Sequence, residues 1–171
     1  EFCRTTVPGI YAVGDVVGPP ALAATSMEQG RRAARHALGL PVLQASTTTP
    51  IGIYTIPEMS SVGLTEAEVC KLHGAAHVGR ANIDELARGV INGDCHGMLK
   101  LVCAAHSREL LGAQIVGEGA TELIHVAQMA IAARHPVDAF VDNIFNFPTY
   151  AEAYLVASLD LIEQRAQVRS E

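Results

Sequence analysis

The stretch at residues 7–18, VPGIYAVGDVVG, constrains the fold of this chain more than any other. An apolar run at residues 10–13 leads directly into Gly14 and Asp15, as at the end of a buried strand where a turn begins. A buried parallel strand needs a paired neighbour on each side, and only six residues precede this stretch. We therefore expect its neighbouring strands to belong to a longer sequence of which this chain is a piece.

The end of this predicted strand is also a candidate ligand site. A Gly- and Pro-rich turn follows Asp15, and a helix is predicted at residues 21–38, where good helix formers lead to Gly39 and Pro41. In an open α/β sheet, ligands bind beyond the carboxyl ends of the strands, and free N–H groups at a helix start favour electron-rich atoms. Asp15 can accept hydrogen bonds from sugar-like hydroxyls there. An ordinary turn is the alternative, because Gly and Asp are common in turns.

Composition excludes several classes of function. The chain has 171 residues, of which 49% are apolar and 18% charged, which is typical of a folded protein of one or two domains. Its net charge is −6 and no basic stripe is present, so we expect no nucleic-acid partner. It has neither an apolar run long enough for a membrane span nor a secretion signal, so a cytoplasmic protein without membrane contact is expected.

The cysteines and histidines do not predict a metal site. The four cysteines form no CxxC pair: Cys3, Cys70, Cys95 and Cys103. We interpret them as buried or idle thiols in a reducing cytosol. His73 and His77 have the spacing of helical metal ligands, but Gly74 lies between them and no third ligand is evident. Surface positions are therefore expected for both.

The pattern of elements changes after the Thr-rich connector at residues 41–50, and a domain boundary is predicted there. Strands are predicted at residues 51–56, 59–63, 77–83, 97–105 and 110–117, the last two as a hairpin. Thr65 and Glu68 have the spacing of a capping box, which predicts a helix up to about residue 73. Further helices are predicted at residues 121–134 and 149–164, with a short piece at 137–141. Strands followed by helices indicate an α+β fold.

Two helices carry apolar stripes at helical spacing. In the first, the stripe is Leu123, Ile124, Ala127, Ala130 and Ile131. In the second, it is Leu155, Val156, Leu159 and Ile162. Glu152 lies on the same face as the second stripe, so its carboxylate is expected to point toward buried surface at a helix start. The alternative is a simple capping charge at the helix N-terminus.

Several ordered motifs resemble the pyridine nucleotide–disulfide oxidoreductases. TTVPGIYAVGDVVGPPALAATSMEQGRRAA is similar to the last FAD-binding segment of that family. IPEMSSVGLTEAE, LLGAQIVGEGATELIH and FNFPTYAEAY are similar to successive parts of its C-terminal dimerisation domain. The resemblance implies that residues 1–45 are the tail of an FAD-binding domain, contributing its last strand and helix. It implies that residues 46–171 are a dimerisation domain, a mixed or antiparallel sheet with helices on one side.

The resemblance also implies a cofactor, a partner and site residues. The cofactor is FAD, the partner is a second copy of the chain, and the NAD(P) site lies outside this chain. Gly14 and Asp15 would bind FAD, and Asp15 would bond to its ribityl chain. The backbone of Ala21, Leu22 and Ala23 would face the flavin ring. These assignments come from the family and not from residue spacing.

One departure from the family pattern concerns catalysis. Most members have a catalytic His before the Pro of the FPTYAEAY motif, paired with a Glu five positions later; here these positions are Phe147 and Glu152. A phenyl ring transfers no proton, which fits the resemblance of the chain to the transhydrogenase members, which carry FAD and move hydride between NADPH and NAD. VGRANIDELARG supports that resemblance. A dihydrolipoamide dehydrogenase-like or mercuric reductase-like fragment, or a dimerisation module without activity, remains an alternative.

Overall fold

The computed structural model describes residues 2–42, 48–94, 96–105 and 107–168, with side chains up to residue 164. The chain forms two compact units, Glu1–Ser46 and Thr47–Glu171. None of the helices in the described ranges combines the length and the hydropathy that crossing a bilayer requires.

The first unit contains one α-helix, α1 (Ala23–Ala37), and a short 3₁₀ turn, Asp15–Val17. The helix ends as the sequence predicts, with Gly39 at a φ of 67° directly after its last turn. The strand predicted at residues 10–13 is not formed. Tyr11 makes a single antiparallel bridge to Arg4, and the Ile10 side chain is 55% exposed. The reason is that the described part of this unit contains no strand with which the segment could pair.

The second unit is built on a five-stranded antiparallel sheet with the order β1-β2-β5-β4-β3. The strands are β1 (Ile51–Ile53), β2 (Met59–Gly63), β3 (Ala76–Asn82), β4 (Met98–Ala104) and β5 (Leu110–Val116). The hairpin of β4 and β5 pairs Leu99 with Ile115 and Leu101 with Ala113. Strand β1 is shorter than the predicted 51–56, and the chain beyond it is exposed at Ile56.

Alternation along the strands divides the apolar residues between the two faces of the sheet. On β4, Leu99, Leu101 and Cys103 belong to the main core, whereas Val102 and Ala104 belong to a smaller cluster that includes Val69. Because successive side chains point to opposite faces, one strand supports both clusters.

Five α-helices surround the sheet in the second unit's described residues or follow it in the chain. They are α2 (Glu66–His73), α3 (Ala87–Asn92), α4 (Ala120–Ala132), α5 (Asp138–Asp142) and α6 (Ala153–Val168), with the 3₁₀ turn Tyr150–Glu152 before α6. The predicted capping box starts α2: Thr65 Oγ1 accepts from the Glu68 N–H, and the Glu68 carboxylate accepts from the Thr65 N–H. Helix α3 was not predicted from the sequence.

The two long helices, α4 and α6, pack on the face of the sheet that carries the main core, and α2 covers the β3–β4 end of the other face. The predicted α+β fold is thus confirmed, and the sheet, predicted as mixed or antiparallel, is antiparallel. The predicted inner face of α6 is wrong, because Leu159 is 47% exposed while Tyr154, Ala157 and Leu161 are fully buried. The Tyr154 hydroxyl donates to the Leu123 carbonyl of α4 at 2.7 Å, which links the two helices.

Candidate functional site

The loop at residues 145–149 presents a large apolar ring to solvent. Phe145 is half-buried, and its ring centroid lies 6.5 Å from that of Phe140 in the core. Phe147, two residues further, is 74% exposed, and Ile144 is fully exposed. The loop is therefore anchored by one phenylalanine and exposes the other.

Hydrogen bonds between side chains and backbone groups define the conformation of this loop. The Arg88 Nε–H donates to the Pro148 carbonyl at 3.2 Å, and Thr149 Oγ1 donates to the Asn146 carbonyl at 2.7 Å. The Thr149 N–H donates to Glu152 Oε2 at 3.0 Å. The half-buried carboxylate of Glu152 therefore acts as a capping group at the start of the turn that leads into α6. This is the capping alternative considered for Glu152, and it ties the carboxylate to the loop that carries Phe147.

A second group of contacts holds the residue that follows the loop. The Tyr150 hydroxyl accepts from Asn92 Nδ2 at 3.0 Å and donates to Asp94 Oδ2 at 3.3 Å. The Asp94 N–H in turn donates to the Gly89 carbonyl at 2.9 Å. Sequence reasoning missed these residues, because no local pattern indicates a contact across more than fifty positions.

The residues predicted to contact a cofactor lie at the turn before α1. Gly14 has a φ of 83°, and its N–H donates to Gln29 Oε1 of α1 at 2.7 Å. Asp15 follows as the exposed first residue of the 3₁₀ turn. Leu22 is the N-cap residue of α1 and caps the helix with no side-chain hydrogen bond. Gly14, Asp15 and the start of α1 therefore belong to one connected turn.

The groups at this turn can accept and donate hydrogen bonds. An exposed carboxylate at Asp15 accepts from hydroxyl groups. The first N–H groups of a helix lack intrahelical acceptors and favour electron-rich atoms. Ala21 and Ala23 are exposed and small, so their side chains leave the backbone accessible.

The described residues contain no group of three or more His, Cys, Asp and Glu side chains that could hold a metal ion. His73 is exposed at the end of α2 and His77 is half-buried on β3. Cys3, Cys70 and Cys103 are not in disulfide bonds, and Cys95 lies outside the described residues.

A groove of about 400 Å³ lies between α4 and α5 and reaches Phe145 at the start of the loop. Its walls are mostly apolar and include Val126, Met129 and Ala133. Met129 is 68% exposed at its rim. The groove and the exposed Phe147 loop together place apolar surface at this end of the second unit.

A carboxylate from a distant loop fixes the start of α4. Glu58 Oε2 accepts from Thr121 Oγ1 at 2.7 Å and from the Thr121 N–H at 3.1 Å. These hydrogen bonds hold the pKa of the Glu58 carboxyl below its usual value. Because Gly119 at the N-cap position supplies no side chain, Glu58 provides the cap that local sequence lacks.

Residues 49–158 match the family described as pyridine nucleotide-disulphide oxidoreductase, dimerisation domain. A soluble pyridine nucleotide transhydrogenase of Mycobacterium bovis (strain BCG / Pasteur 1173P2) is 51% identical over 161 residues, which are 94% of this chain and 34% of that protein. The transhydrogenase of the same name from Hahella chejuensis is 42% identical, covering 92% of this chain and 34% of that protein. The chain thus spans about a third of the length of these relatives.

Solved structures have the same fold. LpdA from Mycobacterium tuberculosis has a TM-score of 0.82 at 28% identity, covering 92% of this chain and 35% of that chain. The HOCl-induced flavoprotein disulfide reductase RclA from Escherichia coli has a TM-score of 0.85 at 24% identity, covering 92% of this chain and 37% of that chain. At the latter identity the likeness concerns the fold alone.

Proposed function

Because this chain belongs to the pyridine nucleotide–disulphide oxidoreductases through their dimerisation domain, we propose that it is the C-terminal part of an FAD-dependent transhydrogenase that moves hydride between NADPH and NAD. The observation that carries the proposal is the 51% identity to a soluble pyridine nucleotide transhydrogenase across 94% of the chain. A cytoplasmic location follows from that assignment. Residues 1–45 are assigned to the FAD-binding domain and residues 46–171 to the dimerisation domain.

The residues at the start of α1 fit an FAD molecule. Asp15 is an exposed acceptor for the ribityl hydroxyls, and the α1 start, without a capping side chain, offers N–H donors near Leu22. The small side chains of Ala21 and Ala23 leave these backbone N–H groups accessible. Bound FAD accepts and releases hydride; the chain's own residues contribute binding and orientation.

The Phe147 loop supports a hydride-transfer enzyme rather than a disulfide reductase. The exposed ring of Phe147 stands where most family members have a proton-transferring His, and it provides no proton. In the proposed enzyme this ring lies over the flavin of the partner subunit and excludes water. Glu152, which accepts from the Thr149 N–H, has a conformational role in place of the usual pairing with a base.

Homodimerisation is part of the proposal. The groove beside α4, the exposed Met129 and the exposed Phe147 form an apolar surface on the domain that matches a dimerisation domain. A second copy of the chain is the occupant that this domain type predicts. The nicotinamide-binding residues are assigned to the part of the protein outside this chain.

The test is made on the complete protein and on this chain in parallel. The complete protein is expected to copurify with FAD and to reduce a NAD analogue with NADPH, without reducing a disulfide such as lipoamide. This 171-residue chain by itself is expected neither to retain FAD nor to transfer hydride. Efficient reduction of lipoamide by the complete protein would contradict the assignment, as would FAD-dependent turnover by the chain alone.

A further inference from the structure

Phe145 packs near Phe140 and anchors the start of the loop that carries Phe147, but the side chains around Phe147 are exposed. Phe147 is 74% exposed and Ile144 is fully exposed, and Asn146 between them is exposed as well. An exposed loop of this kind keeps one conformation only if its backbone is held by partners elsewhere in the chain. Those partners decide where the ring of Phe147 is presented.

The long-range partner of the loop backbone is a side chain of α3. The Arg88 Nε–H donates to the carbonyl of Pro148, the residue after Phe147, across sixty positions of sequence. A hydrogen bond from a charged donor is stronger than a neutral one. Arg88 is half-buried, so the bond is partly protected from competing water. The remaining hydrogen bonds of the loop, from Thr149, stay within the loop and its next turn.

The same segment holds the residue at the end of the loop. Asn92 Nδ2 donates to the Tyr150 hydroxyl at 3.0 Å, and this hydroxyl donates to Asp94 Oδ2 at 3.3 Å. Residues 88–94 therefore contact the loop at Pro148 and again at Tyr150. Two attachment points separated by one residue restrict rotation of the intervening backbone more than a single one does.

Helix α3 is itself seated firmly. A Cβ atom at Gly89 would lie 2.1 Å from the Ile83 carbonyl oxygen, so the helix backbone is in direct contact with the preceding turn. Leu86, at the N-cap position of α3, is 3% exposed and Ile83 is 1% exposed. Because α3 is packed closely against the core, its side chains hold the groups that they bind in a fixed position.

From these contacts we infer that Arg88 is a positioning residue, which together with Asn92, Asp94 and Tyr150 orients the Phe147 loop for the reaction. The inference rests on the proposed function insofar as it concerns turnover. Displacement of a positioned group by about 1 Å reduces turnover by up to about 100-fold in enzymes. Loss of Arg88 is accordingly expected to lower kcat by about 10- to 100-fold, while the KM for the nucleotides, which bind elsewhere, stays unchanged.

The first experiment reads the loop directly and needs no activity. The chain contains no tryptophan, so Phe147→Trp creates a single fluorescent reporter on the loop. We expect Arg88→Ala and Tyr150→Phe in this background to lower the fluorescence anisotropy of the reporter. Arg80→Ala, which removes an exposed arginine on β3, is the matched control and leaves the anisotropy unchanged. Unchanged anisotropy in both Arg88→Ala and Tyr150→Phe overturns the inference.

The second experiment uses the complete protein with its natural Phe147. Arg88→Ala is expected to lower kcat with KM, bound FAD and the dimer retained, and Arg80→Ala to change none of these. A wild-type kcat in Arg88→Ala overturns the positioning role. If Arg88→Ala does not fold, the same measurements are made on Tyr150→Phe, which removes only a hydroxyl and is expected to lower kcat in the same way. If Arg88→Ala and Tyr150→Phe lower the anisotropy of the reporter but the complete protein has no transhydrogenase activity, the proposed function is wrong and the attachment of the loop by Arg88 and Tyr150 still holds.

Discussion

Gly79 of β3 and Ala157 of α6 are in direct backbone contact: a Cβ atom at Gly79 would lie 1.9 Å from the Ala157 carbonyl oxygen. Because neither backbone can move away without displacing the helix from the sheet, Gly79→Ala is expected to destabilise the second unit by about 3 kcal/mol or more. Urea unfolding followed by far-UV circular dichroism measures the loss. Gly52→Ala is the control, since its Cβ would meet a Thr121 methyl group at 3.1 Å that can shift. Equal effects of the two substitutions would contradict the close packing of α6 on β3.

Ser158 is fully buried in α6, and its hydroxyl has no hydrogen-bond partner among the described residues. An unpaired buried hydroxyl costs free energy, so Ser158→Ala is expected to raise the unfolding free energy by about 1 kcal/mol. Ser60 provides the opposite case, because its buried Oγ donates to the Ile51 carbonyl at 2.8 Å. Ser60→Ala is expected to lower the unfolding free energy by about 1 kcal/mol. A loss of stability in Ser158→Ala would mean that its hydroxyl has a partner in solution.

The link between Glu58 and Thr121 predicts a component of the stability that depends on pH. Hydrogen bonds from the Thr121 side chain and N–H hold the pKa of Glu58 below its ordinary value of 4.5. A lowered pKa in the folded state gives stability that is present above the unfolded value and is lost as the pH falls through the folded value. Glu58→Gln should therefore weaken the fold near pH 7 and have little effect at a pH well below the lowered pKa of the folded state, where the carboxyl is protonated in both states.

The measurement is the urea midpoint as a function of pH for the wild type, Glu58→Gln and Glu118→Gln. The last variant removes an exposed carboxylate two residues before α4. If the urea midpoint of Glu58→Gln falls as steeply with decreasing pH as that of the wild type, the Glu58 carboxylate does not contribute to the loss of stability in acid.

Phe147 is predicted to matter between subunits and not within one. Its ring is 74% exposed in the single chain, so Phe147→Ala should change the unfolding free energy of that chain by no more than about 0.5 kcal/mol. In the complete protein the same substitution is expected to weaken the dimer and the transhydrogenase rate. Phe147→His should leave most of the rate intact, because no proton transfer at this position is required. Collapse of the rate in Phe147→His with dimer and FAD retained would contradict that account.

The groove beside α4 predicts where the dimer can be broken. A charge at Met129, which is 68% exposed at the rim of this groove, would be buried without a partner in the interface. Met129→Asp is therefore expected to shift the protein from dimer to monomer in light scattering at micromolar concentration. Leu72→Asp, at a position 65% exposed on α2, is the control that leaves the dimer intact. Dissociation by Leu72→Asp alone would place the interface on the other face of the sheet.

Local chemistry explains why much of the second unit could be predicted from sequence. The capping box of Thr65 and Glu68 lies within one helical turn, and the hairpin of β4 and β5 joins two apolar runs that are close together in the sequence. Such elements depend on neighbours a few residues away. The order of the elements predicted the α+β class, and a mixed or antiparallel sheet was implied by the family resemblance. The assignment of Asp15, Ala21, Leu22 and Ala23 to a cofactor stays a prediction based on family resemblance.

Only the tertiary structure shows which helix face is buried and which distant residues are in contact. Helix α6 is apolar on most sides, so the spacing of its apolar residues predicted a helix but not which face is buried. Close contact with Gly79 of β3 places the face with Tyr154 and Ala157 against the sheet. The contact of Arg88 with the Phe147 loop likewise spans sixty positions and has no local signature. The strand at residues 10–13 did not form, because hydrogen bonding in a sheet requires neighbouring strands. The sequence by itself thus determined elements that satisfy their own backbone locally, and long-range packing decided the rest.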